Sequence, residues 1–279
     1  MNIKILKIAS FSDGSCGGNP AGVWIGDALP DKVVMQAIAA EVGFSETVFA
    51  ASTGDGWRVR YFSPEAEVPF CGHATIALGA VLALAHGDGL FHLALNNIGI
   101  TVEGRRQGEL IAAALQSPST FNEPVDPTLL QDALALFGYR HDDLNTEIPS
   151  AIINGGAKHL LLMLNSRDKL RAMHYELDQG RRLMNRASLV TIVLAFAETP
   201  QLFHTRNPFA SGGVYEDPAT GAATAALAGY LRDIGWPHGG AVEFVQGEDM
   251  GCRSCLHAEM SPTIGSSIRV SGTARIMEI

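Results

Sequence analysis

Apolar and polar residues alternate from Asn2 to Ser12, the period of a strand with one buried face. A glycine-rich loop, Asp13 to Pro20, follows, and Ala21 to Ile25 continues as a second strand. From Pro30 the period changes. Val33, Val34, Ile38 and Val42 recur at helical spacing, with Pro in the first turn and Gly43 just past the end, so Pro30 to Val42 predicts an amphipathic helix. Strands are predicted again at Glu46 to Ala51 and Trp57 to Phe62, then three short ones between Leu90 and Leu115, broken at Asn96, Asn97, Gly104 and Gly108. Gln116 to Asp126, with Pro118, Pro124 and several polar residues, predicts a linker to a second half. There Pro127 to Phe137, closed by Gly138, predicts a helix matching the Pro30 helix. Ala151 to Leu164 predicts strand, Ser166 to Asn185 helix with a break near Gly180, and Ser188 to Ala197 a buried strand. Ala241 to Val245, Cys255 to Met260 and Ile268 to Ile279 close the chain as strands.

Two stretches break the alternation in the same way. Glu67 to Leu82 reads EVPFCGHATIALGAVL and Glu216 to Leu231 reads EDPATGAATAALAGYL; eight of the sixteen aligned positions are identical. A match this dense points to two copies of one unit, hence two similar halves. After its Gly, each copy is apolar on every face, which predicts a helix buried all round. Its many small residues would let strands approach closely, as the axis of a curled sheet or as a plain core helix between layers. The predicted architecture is α+β, two similar domains at 1–117 and 118–279, with a return of the last strand to the first domain left open. Gly72 and Gly221 stand where each helix begins, and the free N–H groups there could receive an anion such as a carboxylate.

Composition narrows the partners. With 47% hydrophobic and 18% charged residues, the 279-residue chain describes a folded protein, and a net charge of −9 argues against nucleic acid or an acidic membrane surface. The N-terminus lacks the apolar core of a signal peptide and no membrane-length apolar run appears, so the sequence reads as cytoplasmic with a small-molecule or protein partner. The four cysteines are too few and scattered for a disulfide scaffold. The loop at Asp13 to Pro20 fits no nucleotide-binding pattern, and GxSxG is absent.

Several residues could carry chemistry. Glu46 lies in FSETVFA; a carboxyl in apolar surroundings suits a general acid/base, whereas the plainer alternative, which local sequence favours, points it outward from an edge strand. His73 falls in the first turn of the first apolar helix, and Asp217 three residues before Thr220. They could bind substrate and assist proton transfer, or be a core histidine and an N-cap. Cys71 aligns with Thr220 in the repeat. A thiol there could act as a base, although Thr220 would be a poor partner in a two-base mechanism, and an inert buried Cys71 is the plainer reading. Cys252 and Cys255 form CRSC without a second pair, so loop thiols are favoured over a metal site.

At these residues the chain resembles the PhzF-like family of phenazine-biosynthesis isomerases, which share the diaminopimelate epimerase fold. The resemblance rests on GNPAGV at Gly18 to Val23, FSETVF at Phe44 to Phe49, RYFSPEAEVPFCGHAT at Arg60 to Thr75, and EDPATG at Glu216 to Gly221, and covers nearly the whole chain. It implies two halves, each a barrel-like, mostly antiparallel sheet around a central helix, with a site in the cleft between them. It further implies a cofactor-independent isomerase, without metal, acting on a small carboxylated metabolite, with Glu46 as the acid/base that moves a proton between carbons. His73 and Asp217 would orient the substrate. Asn19, Gly72 and Gly221 would line its carboxylate pocket, beside Cys71, Thr220 and Ala222. A homodimer is implied as well. Alternatives are an amino- or imino-acid epimerase or dehydratase using Cys71 and Thr220, and a non-catalytic binding protein of the same fold. The chain departs from the phenazine enzyme at Ala222, a serine there; at Cys71, an alanine there and a catalytic cysteine in the epimerases; and in MGCRSCLH at Met250 to His257.

Overall fold

The structure, a computed structural model, describes residues 4–108 and 110–277. The outermost residues of the predicted terminal strands, Asn2, Ile3, Glu278 and Ile279, and Glu109 between two central ones, lie outside them. The chain forms two compact units, Met1–Gln116 with Ser271–Ile279, and Ser117–Val270.

In the first unit the order is β1 (Leu6–Ser10), β2 (Asn19–Gly26), α1 (Lys32–Val42), β3 (Glu46–Ser52), β4 (Trp57–Phe62), β5 (Glu67–Val68), α2 (Gly72–His86), β6 (Gly89–Ala94), β7 (Gly99–Gln107) and β8 (Leu110–Ser119). In the second it is β9 (Phe121–Pro124), α3 (Pro127–Phe137), β10 (Ala151–Asn154), β11 (Lys158–Met163), α4 (Arg167–Arg171), α5 (Leu177–Arg186), β12 (Thr191–Thr199), β13 (Leu202–Phe209), β14 (Val214–Asp217), α6 (Gly221–Asp233), β15 (Ala241–Gln246) and β16 (Ser254–Met260), and the last strand, β17 (Ser267–Ile276), passes back into the first unit from Ser271.

The two units repeat one pairing scheme. In the first, β1–β2 is antiparallel, β2–β3 parallel, β3–β4 antiparallel, β4–β6 parallel, and β6–β7 and β7–β8 antiparallel. In the second, β10–β11, β12–β13 and β15–β16 are antiparallel, and β11–β12 and β13–β15 parallel. A parallel pair needs a crossover, and helices supply it in both units. β17 pairs with β1 and with β8, which closes eight strands of the first unit into a barrel.

The repeated stretches become the enclosed helices. Every residue from His73 to Ala83 in α2 is buried, as is every residue from Ala223 to Arg232 in α6. Each fully buried Leu or Ile there contributes about 1.5–3 kcal/mol. Small residues permit the close approach: a Cβ on Gly104 of β7 would lie 2.3 Å from the Gly79 carbonyl oxygen of α2, and one on Gly155 2.7 Å from the Ala226 nitrogen of α6.

Four readings of the pattern are corrected. The predicted linker is mostly strand, since β8 runs to Ser119 and β9 pairs with β10. Gly104 lies within β7 rather than ending it. The helical stretch breaks between Arg171 and Leu177; Gly180 sits inside α5, where an added Cβ would meet the Tyr175 ring at 2.5 Å. The crossover equivalent to α1 is α4 with α5, because these join the parallel pair β11–β12, whereas α3 precedes β10. Among the described residues no helix is long and apolar enough to cross a membrane.

Candidate active site

Glu46 opens β3, whose neighbours β2 and β4 make it an inner strand, not the edge that local sequence suggested. Its side chain is 15% exposed, and Oε2 lies 3.5 Å from Nε2 of His73, itself 7% exposed. Ser45 Oγ stands 3.4 Å from the same nitrogen, while Nδ1 of His73 lies 3.3 Å from Cys71 Sγ. One imidazole therefore bridges a carboxylate and a thiol at the mouth of α2. The Ser10 hydroxyl donates to the His73 carbonyl at 2.7 Å, and Ser10 pairs in register with buried Asn19, which brings that expected residue beside the cluster's support.

The mouth is braced from below. Thr75 Oγ1 donates to the Cys71 carbonyl at 2.7 Å and lies 2.7 Å from the Tyr61 hydroxyl, so the phenol donates in turn. Burial raises the Tyr61 pKa, which keeps that proton in place. Arg60 donates to both oxygens of Glu67 at 2.8 and 2.6 Å, and this hydrogen bonding holds the Glu67 carboxyl down at about 2 against the cost of burial.

In the second unit Asp217 ends β14 and is 9% exposed; Thr220 precedes α6 and Gly221 begins it, buried, with half-buried Ala222 next. The residue at the N-cap position of α6 is Thr220, three positions after Asp217. The Asp217 carboxylate accepts from the Thr220 hydroxyl, and the Asp217 main-chain carbonyl accepts from Gln246 Nε2 at 2.7 Å.

Gln246 belongs to a buried chain of hydrogen bonds that sequence reasoning missed. His159 Nδ1 lies 2.7 Å from Thr191 Oγ1, which donates to Asn207 Oδ1 at 3.0 Å. Asn207 Nδ2 donates to Gln246 Oε1 at 3.3 Å, and Gln246 Nε2 donates to Thr220 Oγ1 at 3.0 Å. Gln246 Nε2 thus serves both Thr220 and the Asp217 carbonyl, and the Thr220 hydroxyl passes the chain on to the Asp217 carboxylate, where it terminates. His159 is fully buried, and desolvation lowers its pKa to about 3, so the ring stays neutral. A signal for the other support was present in the repeat. Glu216, aligned with Glu67, takes Arg206 at 2.9 and 2.5 Å, so both repeated glutamates are clamped by an Arg from the preceding long strand.

The expected residues thus fall into two groups: Asn19, Glu46, Cys71, Gly72 and His73 in the first unit, and Asp217, Thr220, Gly221 and Ala222 in the second. Glu46, Cys71 and His73 are the one set of three His, Cys, Asp or Glu ligand atoms within 4.8 Å of one another among the described residues. Cys252 and Cys255 form no disulfide; Cys255 lies on β16, where its Sγ accepts from Arg253 Nη1 at 3.5 Å.

The chain is 32% identical over 260 residues to the trans-2,3-dihydro-3-hydroxyanthranilate isomerase of Pseudomonas fluorescens, covering 90% of this chain and 88% of that one. It is 32% identical over 232 residues to an uncharacterized isomerase of Pseudomonas aeruginosa, covering 82% of each. The crystal structure of a PhzF-family phenazine biosynthesis protein of Bacillus anthracis superposes with a TM-score of 0.87 at 19% identity, over 99% of this chain and 97% of that one. These relatives support an isomerase or epimerase activity. A family model described as phenazine biosynthesis-like protein matches residues 8–278, and the chain belongs to that family.

Proposed function

We propose that the protein isomerises a small carboxylated metabolite by moving a proton from one carbon to another, with Glu46 as the general acid/base. The observation that carries this reading is the largely buried Glu46 carboxylate 3.5 Å from His73 at the mouth of α2. A carboxylate can take a proton from a carbon acidified by conjugation and, as the acid, return it elsewhere on the same skeleton. With its proton on Nε2, His73 donates toward the Glu46 carboxylate and holds it in position at the mouth of α2. Asp217, held by Thr220 and Gln246, orients the substrate in this reading, as the resemblance implies.

The test is proton exchange in deuterated water with a panel of small cyclic and amino carboxylates, including the substrate of the P. fluorescens relative. Wild type incorporates deuterium at carbon in at least one compound and the Glu46→Gln variant loses about 10²–10⁴-fold of that rate. Equal rates in the two proteins overturn Glu46 as the shuttle. A second reading draws on the 3.3 Å approach of Cys71 Sγ to His73 Nδ1: an epimerase with Cys71 as base. Exchange that survives in Glu46→Gln and vanishes in Cys71→Ala selects it.

A further inference from the structure

We infer that Glu46, Cys71 and His73 form a binding site for a thiophilic divalent cation of the Zn²⁺ type, and that its occupation stops proton transfer. The sequence pattern had raised metal chemistry only at Cys252 and Cys255, in another part of the chain. The second half of the inference rests on the reading of Glu46 given above; the first half does not.

The donor set is one carboxylate oxygen, one imidazole nitrogen and one thiol sulfur, the three ligand types Zn²⁺ takes. Tetrahedral coordination at ordinary Zn–S, Zn–N and Zn–O lengths places ligand atoms about 3.4–3.6 Å apart. Here His73 Nε2 lies 3.9 Å from Cys71 Sγ and 3.5 Å from Glu46 Oε2, and all three ligand atoms fall within 4.8 Å of one another. Rotamer adjustments of less than an ångström or so would close the triangle. The other His73 nitrogen lies 3.3 Å from the thiol, so the whole ring faces the sulfur.

The surroundings favour a cation over empty space. His73 and Cys71 are largely shielded, so the electrostatic attraction is little screened, while the 15% exposure of Glu46 leaves a way in. The supporting contacts also hold the ligands before the metal arrives. Ser10 fixes the His73 main chain and Thr75 that of Cys71, which lowers the ordering cost of assembling the site. Three protein ligands leave a fourth position for water or a substrate carboxylate. On binding, the thiol proton leaves to solvent; sulfur, the carboxylate and the unprotonated nitrogen of a neutral His73 each donate a pair to the metal, and no oxidation state changes. With one oxygen on the cation, the Glu46 carboxylate is much less basic and the space a substrate carbon would enter is taken by the metal, so proton transfer from carbon stops.

The test begins with Co²⁺ as a spectroscopic probe, added to metal-free protein kept reduced, with Zn²⁺ as competitor. One equivalent per chain is expected to give a thiolate-to-metal charge-transfer band that Zn²⁺ removes. The band should vanish in Cys71→Ala and persist in the Cys252→Ser, Cys255→Ser double variant. Thermal melts confirm that each variant folds. Glu46→Gln, which keeps the thiol and the shape, should weaken Zn²⁺ binding at least as much as loss of an outer-shell partner does, about 10–100-fold by calorimetry. Absence of a saturable one-to-one band in wild type, its survival in Cys71→Ala, or its loss in the double variant overturns the site. None of these readouts needs catalysis, so they stand if no isomerase substrate is found. With a substrate in hand, deuterium uptake should stop on addition of Zn²⁺ and return with a chelator; uptake that continues in Zn²⁺-loaded protein overturns the inhibitory role.

Discussion

Glu67 keeps its charge because Arg60 offers a donor to each oxygen, with Lys32 at 3.2 Å and Asn96 at 2.8 Å adding to the same group. The folded carboxyl titrates at about 2 against 4.5 in the unpaired state. A depressed folded value means that the unfolded chain binds the proton first, so this contribution is full above pH 4.5 and fades as pH falls toward 2. Glu67→Gln should therefore lower the urea midpoint at pH 6, and the gap to wild type should narrow steadily between pH 5 and 2. A gap that stays constant over that window would show that the pair acts through packing instead. His159 works through the same linkage with a different origin: burial keeps it neutral, so the unfolded chain gains a proton below its ordinary value and the folded one does not. Glu46 shows where local sequence stops being informative. Alternation in FSETVFA says only that successive side chains face opposite ways. Local sequence offered Glu46 as a base but favoured the plainer alternative; the resemblance at FSETVF raised it, and the histidine beside it stands on another element.

Elements were legible where two periods agreed with punctuation. The two enclosed helices were visible because eight matched positions framed a run apolar on all faces, and both begin at the aligned glycines Gly72 and Gly221. Helix α3 was visible for a different reason. Asp126 accepts from Thr128 and Leu129, Pro127 opens the first turn, and Gly138 closes it at φ 68°. Glycine was misread where it serves packing rather than turning. Gly104 and Gly180 each read as a break, yet each sits inside an element where a facing atom leaves no room for a Cβ. No pattern along the chain distinguishes the two uses, because the cause lies in a distant residue. The α2–β7 contact gives a direct check. Gly104→Val would press its side chain against the Gly79 carbonyl and Ala83, with about 1–3 kcal/mol of overpacking strain or more expected in chemical denaturation. A loss of under about 0.5 kcal/mol, the range of surface changes, would mean that the helix can back away from the strand.

At the scale of the molecule the first unit is not completed by its own contiguous chain. β1 pairs with β17 through Ile8↔Ile276, Ala9↔Arg275 and Ser10↔Ala274, so the barrel around α2 waits for residues near the end of the sequence. The Ser12 amide also donates to the Thr273 carbonyl at 2.8 Å, and the Thr273 hydroxyl to the Ser12 carbonyl at 2.7 Å. Contacts so far apart in sequence bring no return until the intervening chain is ordered, which makes this closure a late event in folding. They also bear on the candidate site, because Ser10, which holds the His73 carbonyl, is one of the paired residues. Deleting Ser271–Ile279 should therefore leave β1 as an unpaired edge, with its N–H and C=O groups open to other chains. Hydrogen exchange should show protection lost along β1 and at the start of α2 while α6 and β11 to β13 keep theirs, and the deleted protein should aggregate more readily than the full chain. Uniform loss of protection across both units would mean instead that the molecule folds as one cooperative whole, and unchanged protection of β1 would mean that β2 alone suffices to hold the strand and the histidine behind it.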